Sequence, residues 1–386
     1  MITSSEKKRN NLGIYLHIPF CVRKCRYCDF LSFERTLPEA MDSYAHKLAE
    51  EIAGRGSRFS TDRITDSVYV GGGTPSLLPA EDLEEVMDAV YSCFRVADDA
   101  EITLEANPGT LTAENLAAYK SLGINRLSLG CQSLSESKLA YLGRIHGRDE
   151  VYEAFDLCRK AGFDNVNMDL MFGLPGESFE DWAHDIFEAI MLEPEHISFY
   201  SLQVEEGTEV YQEIMDGAVQ QPDEVLDRKM YHAAIQAFTA AGYTHYEISN
   251  AAKAGCESRH NLKYWSLDEY LGFGLGAHSF ANGCRFANTD SYEAYLSSES
   301  IDDMTQWIHR NTKTDTVKEY VFLGLRKTEG IHLPTFASRF GEKFWDIYPE
   351  ETKELIGRGL LEEQGDMLRL TPLGLDLSNI VFSEYV

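Results

Sequence analysis

The chain is short of positive charge and of long apolar runs. It carries 35 Lys and Arg against 63 Asp and Glu, a formal net charge of −28. Such an acidic chain repels a phosphate backbone, and no Lys/Arg-rich run interrupts it, so nucleic acid is not an expected partner. No stretch approaches the roughly 20 apolar residues that span a bilayer, so no membrane-spanning segment is expected. The opening residues, Met-Ile-Thr-Ser-Ser-Glu-Lys-Lys-Arg-Asn, lack an apolar signal core. Low-complexity tracts and repeats beyond a strand–helix alternation are also missing. Cysteine is scarce, eight in 386 residues. Five of these (Cys93, Cys131, Cys158, Cys256, Cys284) stand singly, as reduced and mostly buried small hydrophobes do. A reducing cytoplasm is the expected compartment.

The other three cysteines are grouped. Cys21, Cys25 and Cys28 follow the spacing Cys-x3-Cys-x2-Cys, with Tyr27 just before the last. Iron–sulfur clusters are held by cysteine thiolates. Three close ligands on a four-iron cubane leave one iron open, free to bind a small molecule and pass it an electron. A structural zinc site is the rival reading. It needs a fourth Cys or His nearby, and His17, on the strand leading in, is the only candidate.

With 44% hydrophobic residues, the chain can bury one large domain plus a smaller one. Short apolar runs alternate with amphipathic helical patterns, as in βα units. The predicted strands are 13–18, 67–70, 101–106, 126–129, 166–170 and 196–201. One predicted helix begins near Pro79 and carries Leu83, Val86, Met87 and Val90 at helical spacing. Another follows Ser178, with Asp181 completing a capping-box-like start. Six parallel units fall short of the eight of a closed barrel, and functional residues belong where the strands end.

Several motifs sit at those ends. Gly71-Gly-Gly-Thr-Pro75 follows the second strand; it reads as a tight turn or as backbone brought close to a ligand. Glu105 ends the third strand, as a capping or ion-paired acid or as a ligand-binding one. Gln132 ends the fourth strand, and Arg144 follows one helical segment later. Asp169 ends the fifth strand within the segment 168–175, and a carboxylate in an otherwise apolar strand needs partners.

The cysteine run after a short strand resembles the signature of the radical S-adenosylmethionine (SAM) superfamily. That resemblance implies a [4Fe–4S] cluster whose fourth iron is chelated by the amino and carboxylate groups of SAM. It also implies cleavage of the sulfonium to a 5′-deoxyadenosyl radical, on an open partial (β/α)6 barrel. Within the superfamily, Tyr15-Leu-His-Ile-Pro-Phe-Cys21, Gly71–Pro75, Glu105, Gln132, Arg144 and the Asp169–Pro175 segment are similar to the oxygen-independent coproporphyrinogen III oxidase family over roughly residues 12–380. By resemblance, Tyr15, Gly72 and Glu105 would contact a first SAM. Tyr27, Gly73, Thr74, Gln132, Arg144 and Asp169 would contact a second.

Three departures point away from the oxidase itself. Phe30 stands where that enzyme has a fourth cysteine, and only about a dozen polar residues precede the first strand. His260-Asn-Leu-Lys-Tyr-Trp265 resembles the His-Asn-x-x-Tyr-Trp hallmark of the HemW branch, described as heme chaperones. That branch implies heme as cofactor and cargo, and a heme-acceptor protein as partner. His260 is then the candidate heme residue and His278 a second one. On physics alone, His260 also reads as a hydrogen-bonded core histidine among space-filling aromatics. The oxidase remains the alternative function, and an anaerobic heme-degrading methyltransferase a more distant one.

The expected organisation is a polar tail at 1–12, a radical SAM partial barrel at 13–250, and the heme-hallmark segment with a linker at 251–300. A small winged-helix-like domain follows at 301–386. Thr314–Val386 holds 8 basic against 13 acidic residues, a poor footprint for DNA.

Overall fold

The structure, a computed structural model, describes residues 11–59 and 63–386. The expected polar tail therefore falls outside it except for Asn11 and Leu12, which open the first strand. Six parallel strands form the heart of the molecule: β1 Asn11–Ile18, β2 Ile64–Gly72, β3 Val96–Ala106, β4 Arg126–Gln132, β5 Val166–Phe172 and β6 His196–Ser201. Helices cross over between them, among them α1 Pro38–Phe59, α2 Ala80–Cys93, α3 Ala113–Ser121, α4 Glu136–Leu142, α5 Arg148–Lys160 and α6 Phe179–Met191. The sequence patterns account for these starts. Ser178 and Asp181 form the capping box of α6, and the four apolar residues expected on α2 are all buried.

The period-two alternation of the strands sorts their side chains onto two faces. On β4, Leu127, Leu129 and Cys131 are fully buried under the helices. Arg126, Ser128, Gly130 and Gln132 face a central cavity. On β5 and β6, Met168, Leu170, Ile197 and Phe199 belong to the outer core. Asn167, Asp169, Ser198 and Tyr200 face inward. Each large apolar side chain so buried contributes about 1.5–3 kcal/mol. The curled sheet is thus apolar outside and polar inside, as a ligand-holding partial barrel requires.

The sheet continues past both ends of the six. A helix α7, Arg259–Trp265, and six further strands complete the unit: β7 Thr244–Glu247, β8 Asn250–Ala252, β9 Tyr270–Phe273, β10 His278–Ala281, β11 Cys284–Asn288 and β12 Thr305–Arg310. The full order is β12-β11-β10-β9-β1-β2-β3-β4-β5-β6-β8-β7, which leaves the barrel open. The linker expected to close the 251–300 segment instead leads into a short capped helix, Ile301–Met304, and on into β12. Because β12 hydrogen-bonds to β11, the expected boundary at 301 moves to about 311. Its Ser-rich, acidic sequence hid an element that depends on capping and an edge-strand partner rather than on apolar periodicity.

Beyond β12, the helix Lys313–Gly324 and the hairpin Leu361–Gln364 with Met367–Leu370 form a small unit around a second apolar core. It leans on the sheet: Thr328 N–H donates to Tyr246 O at 3.0 Å, and Arg339 donates to the carbonyls of Ser266 and Leu267. Among the described residues no helix is long and apolar enough to cross a membrane.

Candidate cofactor site

The cavity enclosed by the curled sheet has a volume of about 570 Å³, within the range of small-molecule sites. It opens at the C-terminal strand ends. All the residues expected at the cluster and at SAM line it except Tyr15, which stacks on the lining residue Tyr69 with ring centroids 6.3 Å apart.

The cysteine loop leaves β1 through Pro19 and is tied down along its length. Arg26 N–H donates to Leu142 O at 3.1 Å, and the Arg23 guanidinium donates to the carbonyls of Gly143 and Arg144. His17 bridges Tyr15 Oη (2.9 Å) and Leu31 O (3.0 Å), closing the far end of the loop. Thr74 Oγ1 lies 3.7 Å from Cys21 Sγ, and Arg144 Nη1 donates to Cys25 Sγ at 3.2 Å. Burial pushes the Cys28 thiol up to about 11, and the Cys21 thiol is also raised, again chiefly by burial. Thiolates here call for a bound cationic centre. Among the described residues no three acidic, His or Cys side chains converge on one ion. All three cysteines line the cavity, where each would bind a different iron of a cluster.

Opposite the loop, the glycine turn fits against it closely. A Cβ on Gly73 would come within 2.7 Å of Phe20 O and 3.1 Å of Cys21 Sγ, and Gly72 takes a φ of +121° that favours glycine. Glu105 accepts from Tyr69 Oη at 2.7 Å and from Gly72 N–H at 3.0 Å. Burial nevertheless raises its pKa to about 7. Asp169 accepts from Asn167 Nδ2 at 2.7 Å and Ser128 Oγ at 3.3 Å, and its pKa is raised by burial. Gln132 sits at φ +69°, a strained backbone for a non-glycine, and accepts from Tyr200 Oη at 2.8 Å. Arg144 Nε is buried without a partner. Buried carboxylates, an unsatisfied guanidinium nitrogen and exposed glycine backbone together fit a zwitterionic, hydroxyl-bearing ligand beside the thiols.

His260 is placed differently from the heme residue expected of it. It is 1% exposed, on α7 beneath β2, and does not line the cavity. Nδ1 pairs with Ser67 Oγ at 3.0 Å and Nε2 with Tyr264 Oη at 2.8 Å. Burial depresses its pKa to about 3, so the ring is neutral. An axial bond to iron would first have to break one of these hydrogen bonds. The next residue, Asn261, is the one that lines the cavity. His278 lies at the surface against Trp307, with centroids 5.6 Å apart. Sequence reasoning missed Tyr69, Arg126, Ser128, Asn167, Ser198 and Asn250 as lining residues. For those on β4–β6 the signal was present as polar residues at every second position of otherwise apolar strands.

Residues 15–189 match the family model of the radical SAM superfamily, and residues 311–377 that of the HemN C-terminal domain. The chain is 36% identical to the Bacillus subtilis heme chaperone HemW, over 96% of this chain and 98% of the relative. It is 35% identical to the Escherichia coli heme chaperone HemW, over 94% and 95%. The chain belongs to the HemW family of the radical SAM superfamily. Its fold is that of the Escherichia coli coproporphyrinogen III oxidase HemN, described as a radical SAM enzyme, with a TM-score of 0.86 at 22% identity, covering 98% of this chain and 90% of the other. HemW membership and the HemN fold agree with the partial barrel and small C-terminal unit described above.

Proposed function

We propose that this protein is a radical SAM heme chaperone, which binds heme and passes it to an acceptor protein. The observation that carries this reading is its likeness to curated heme chaperones over nearly the full length of both chains. The cavity supports it. Cys21, Cys25 and Cys28 would hold a [4Fe–4S] cluster, which when bound supplies an electron donor with one open iron. Gly72, Gly73 and Thr74 would offer backbone and hydroxyl groups to SAM, with Glu105, Tyr15 and Tyr69 on one side. Gln132, Arg144, Asp169 and Tyr27 would close the other.

Phe30 supports the chaperone over the oxidase. It is 63% exposed at the cavity rim, an aromatic face where the oxidase resemblance calls for a cysteine. The implied partner is a heme-acceptor protein, and a net charge of −28 suits a basic docking face. A reducing cytoplasm suits the exposed cluster loop and the five further free cysteines.

The test uses anaerobically purified, cluster-reconstituted protein, offered heme in one vessel and coproporphyrinogen III, SAM and reductant in another. Stoichiometric heme binding without porphyrin product is expected. Conversion to protoporphyrinogen with release of CO₂ would establish the oxidase instead.

A further inference from the structure

The floor of the cavity holds a cation that none of the residues discussed above uses. Arg126 opens β4, with Thr103 opposite it, while Glu105 lies opposite Ser128. Arg126 is thus one inward position deeper than Glu105, about 7 Å further from the mouth, and about 20 Å along the strand from Gln132 at the rim. It is 2% exposed and lines the cavity. Its Nε has no hydrogen-bond partner, and among the described residues no carboxylate lies within ion-pair distance of its guanidinium.

The charges near it are already engaged. Glu105 accepts from Tyr69 and Gly72, and Asp169 from Asn167 and Ser128, so Arg126 acts on both only through space. A buried guanidinium without an anionic partner is costly, and folds that keep one compensate it elsewhere. Other polar groups share the cavity: Ser249, Asn250 and Asn261 line it, and Asn250 Oδ1 is buried without a partner. Asn261 follows His260, whose ring lies within the field of Arg126. The His260–Trp265 segment therefore presents an amide, not an imidazole, to the cavity.

We infer that Arg126 anchors a carboxylate-binding subsite at the cavity floor, separate from the cluster side and completed by Asn261 and Ser249. The ligand carries a carboxylate and reaches from the mouth to the floor. Two sources share this chemistry: a propionate of the tetrapyrrole cargo, and the amino-acid carboxylate of a SAM molecule not bound to the cluster. The first source rests on the heme reading above; the subsite itself does not.

The experiment compares cluster-reconstituted wild-type protein with Arg126→Gln and Arg126→Lys, using heme, heme dimethyl ester and SAM as probes. Glutamine should weaken the ligand seated on Arg126 by about tenfold or more, the loss expected of a charge-assisted hydrogen bond, with lysine recovering part of it. A loss for heme but not for its dimethyl ester assigns a propionate. A fall in SAM affinity or stoichiometry assigns the amino-acid carboxylate. If all three probes bind Arg126→Gln as they bind wild type, with the cluster absorbance intact, the subsite is overturned. Should that variant fail to fold, Asn261→Ala takes its place, and equal wild-type affinities for heme and its ester with unchanged SAM binding in Asn261→Ala overturn it equally. A wild type that binds no heme would defeat the chaperone reading and leave the subsite to be decided by SAM alone.

Discussion

Arg144 joins the fourth strand to the cysteine loop: Nη1 donates to Cys25 Sγ at 3.2 Å while Nη2 donates to Gly130 O at 2.5 Å. Its third nitrogen, Nε, is left buried and unpaired. One side chain thus faces the Cys25 sulfur, the β4 backbone and the open cavity together. Replacing Arg144 by Met should remove a hydrogen bond and a positive charge from the sulfur side, making the cluster potential more negative. SAM affinity should fall about tenfold or more, the range of one charge-assisted hydrogen bond. A redox titration followed by electron paramagnetic resonance, with equilibrium dialysis of SAM, reads both. An unchanged potential would show that the Cys25 contact does not survive cluster binding.

Glu105 makes the ligand-free protein sensitive to pH. Burial raises its pKa to about 7, against an unfolded value near 4.3. Between those values the folded state binds more protons than the unfolded one, so stability is highest at low pH and falls as pH rises toward 7. The full effect is about 4 kcal/mol. Urea denaturation of apoprotein at pH 5 and pH 8 should show wild type losing more stability than Glu105→Gln across this interval. SAM affinity should move the opposite way, rising through pH 7 as the carboxylate ionises to accept hydroxyl groups. Parallel pH profiles for the two proteins would remove Glu105 from both roles.

The fold was legible where local pattern and tertiary structure agree. The six strands and the capped helix after Ser178 follow from alternation and capping. The cysteine loop stood out because thiols at such close spacing are a chemical signal in themselves. Illegible features depended on neighbours distant in sequence. The strand Thr305–Arg310 is polar and exists because Phe286 and its flanks offer an edge to pair with. Arg126 reads as an ordinary strand-opening cation until the curled sheet buries it. His260 carried a motif resemblance but no information on which way its ring points, and Ser67, a residue of β2 nearly 200 positions away, decides that.

Gly73 is a test of how closely the glycine turn must approach the cysteine loop. An added Cβ would meet backbone, the Phe20 carbonyl at 2.7 Å, which cannot swing aside as a side chain could. Gly73→Ala should cost about 1–3 kcal/mol through overpacking and lower the iron and sulfide content after reconstitution. Gly357→Ala is the control. It lies at the end of a helix with nothing within 4 Å of the added methyl group, so it should be neutral or stabilising by up to about 1 kcal/mol. Thermal melts with iron analysis distinguish the two, and a Gly73→Ala protein with full iron and wild-type stability would show that the turn can retreat from the loop.

His260 offers the sharpest separation between motif and geometry. Its ring joins Ser67 on β2 to Tyr264 on α7, and it packs against Tyr69, the residue that hydrogen-bonds Glu105, with centroids 5.3 Å apart. The structure therefore supports a positioning role beneath the Tyr69–Glu105 side of the cavity. His260→Ala should cost about 2–4 kcal/mol, because it removes two hydrogen bonds and leaves a cavity. It should also weaken SAM binding through Tyr69 while leaving the heme Soret band and axial-ligand signature in place. His260→Gln, which can keep one of the two hydrogen bonds, should recover part of the stability. Magnetic circular dichroism of the heme complex decides the matter: loss of a histidine-ligand signal in both variants, with stability preserved in His260→Gln, would put the imidazole on the iron and require α7 to open before heme enters.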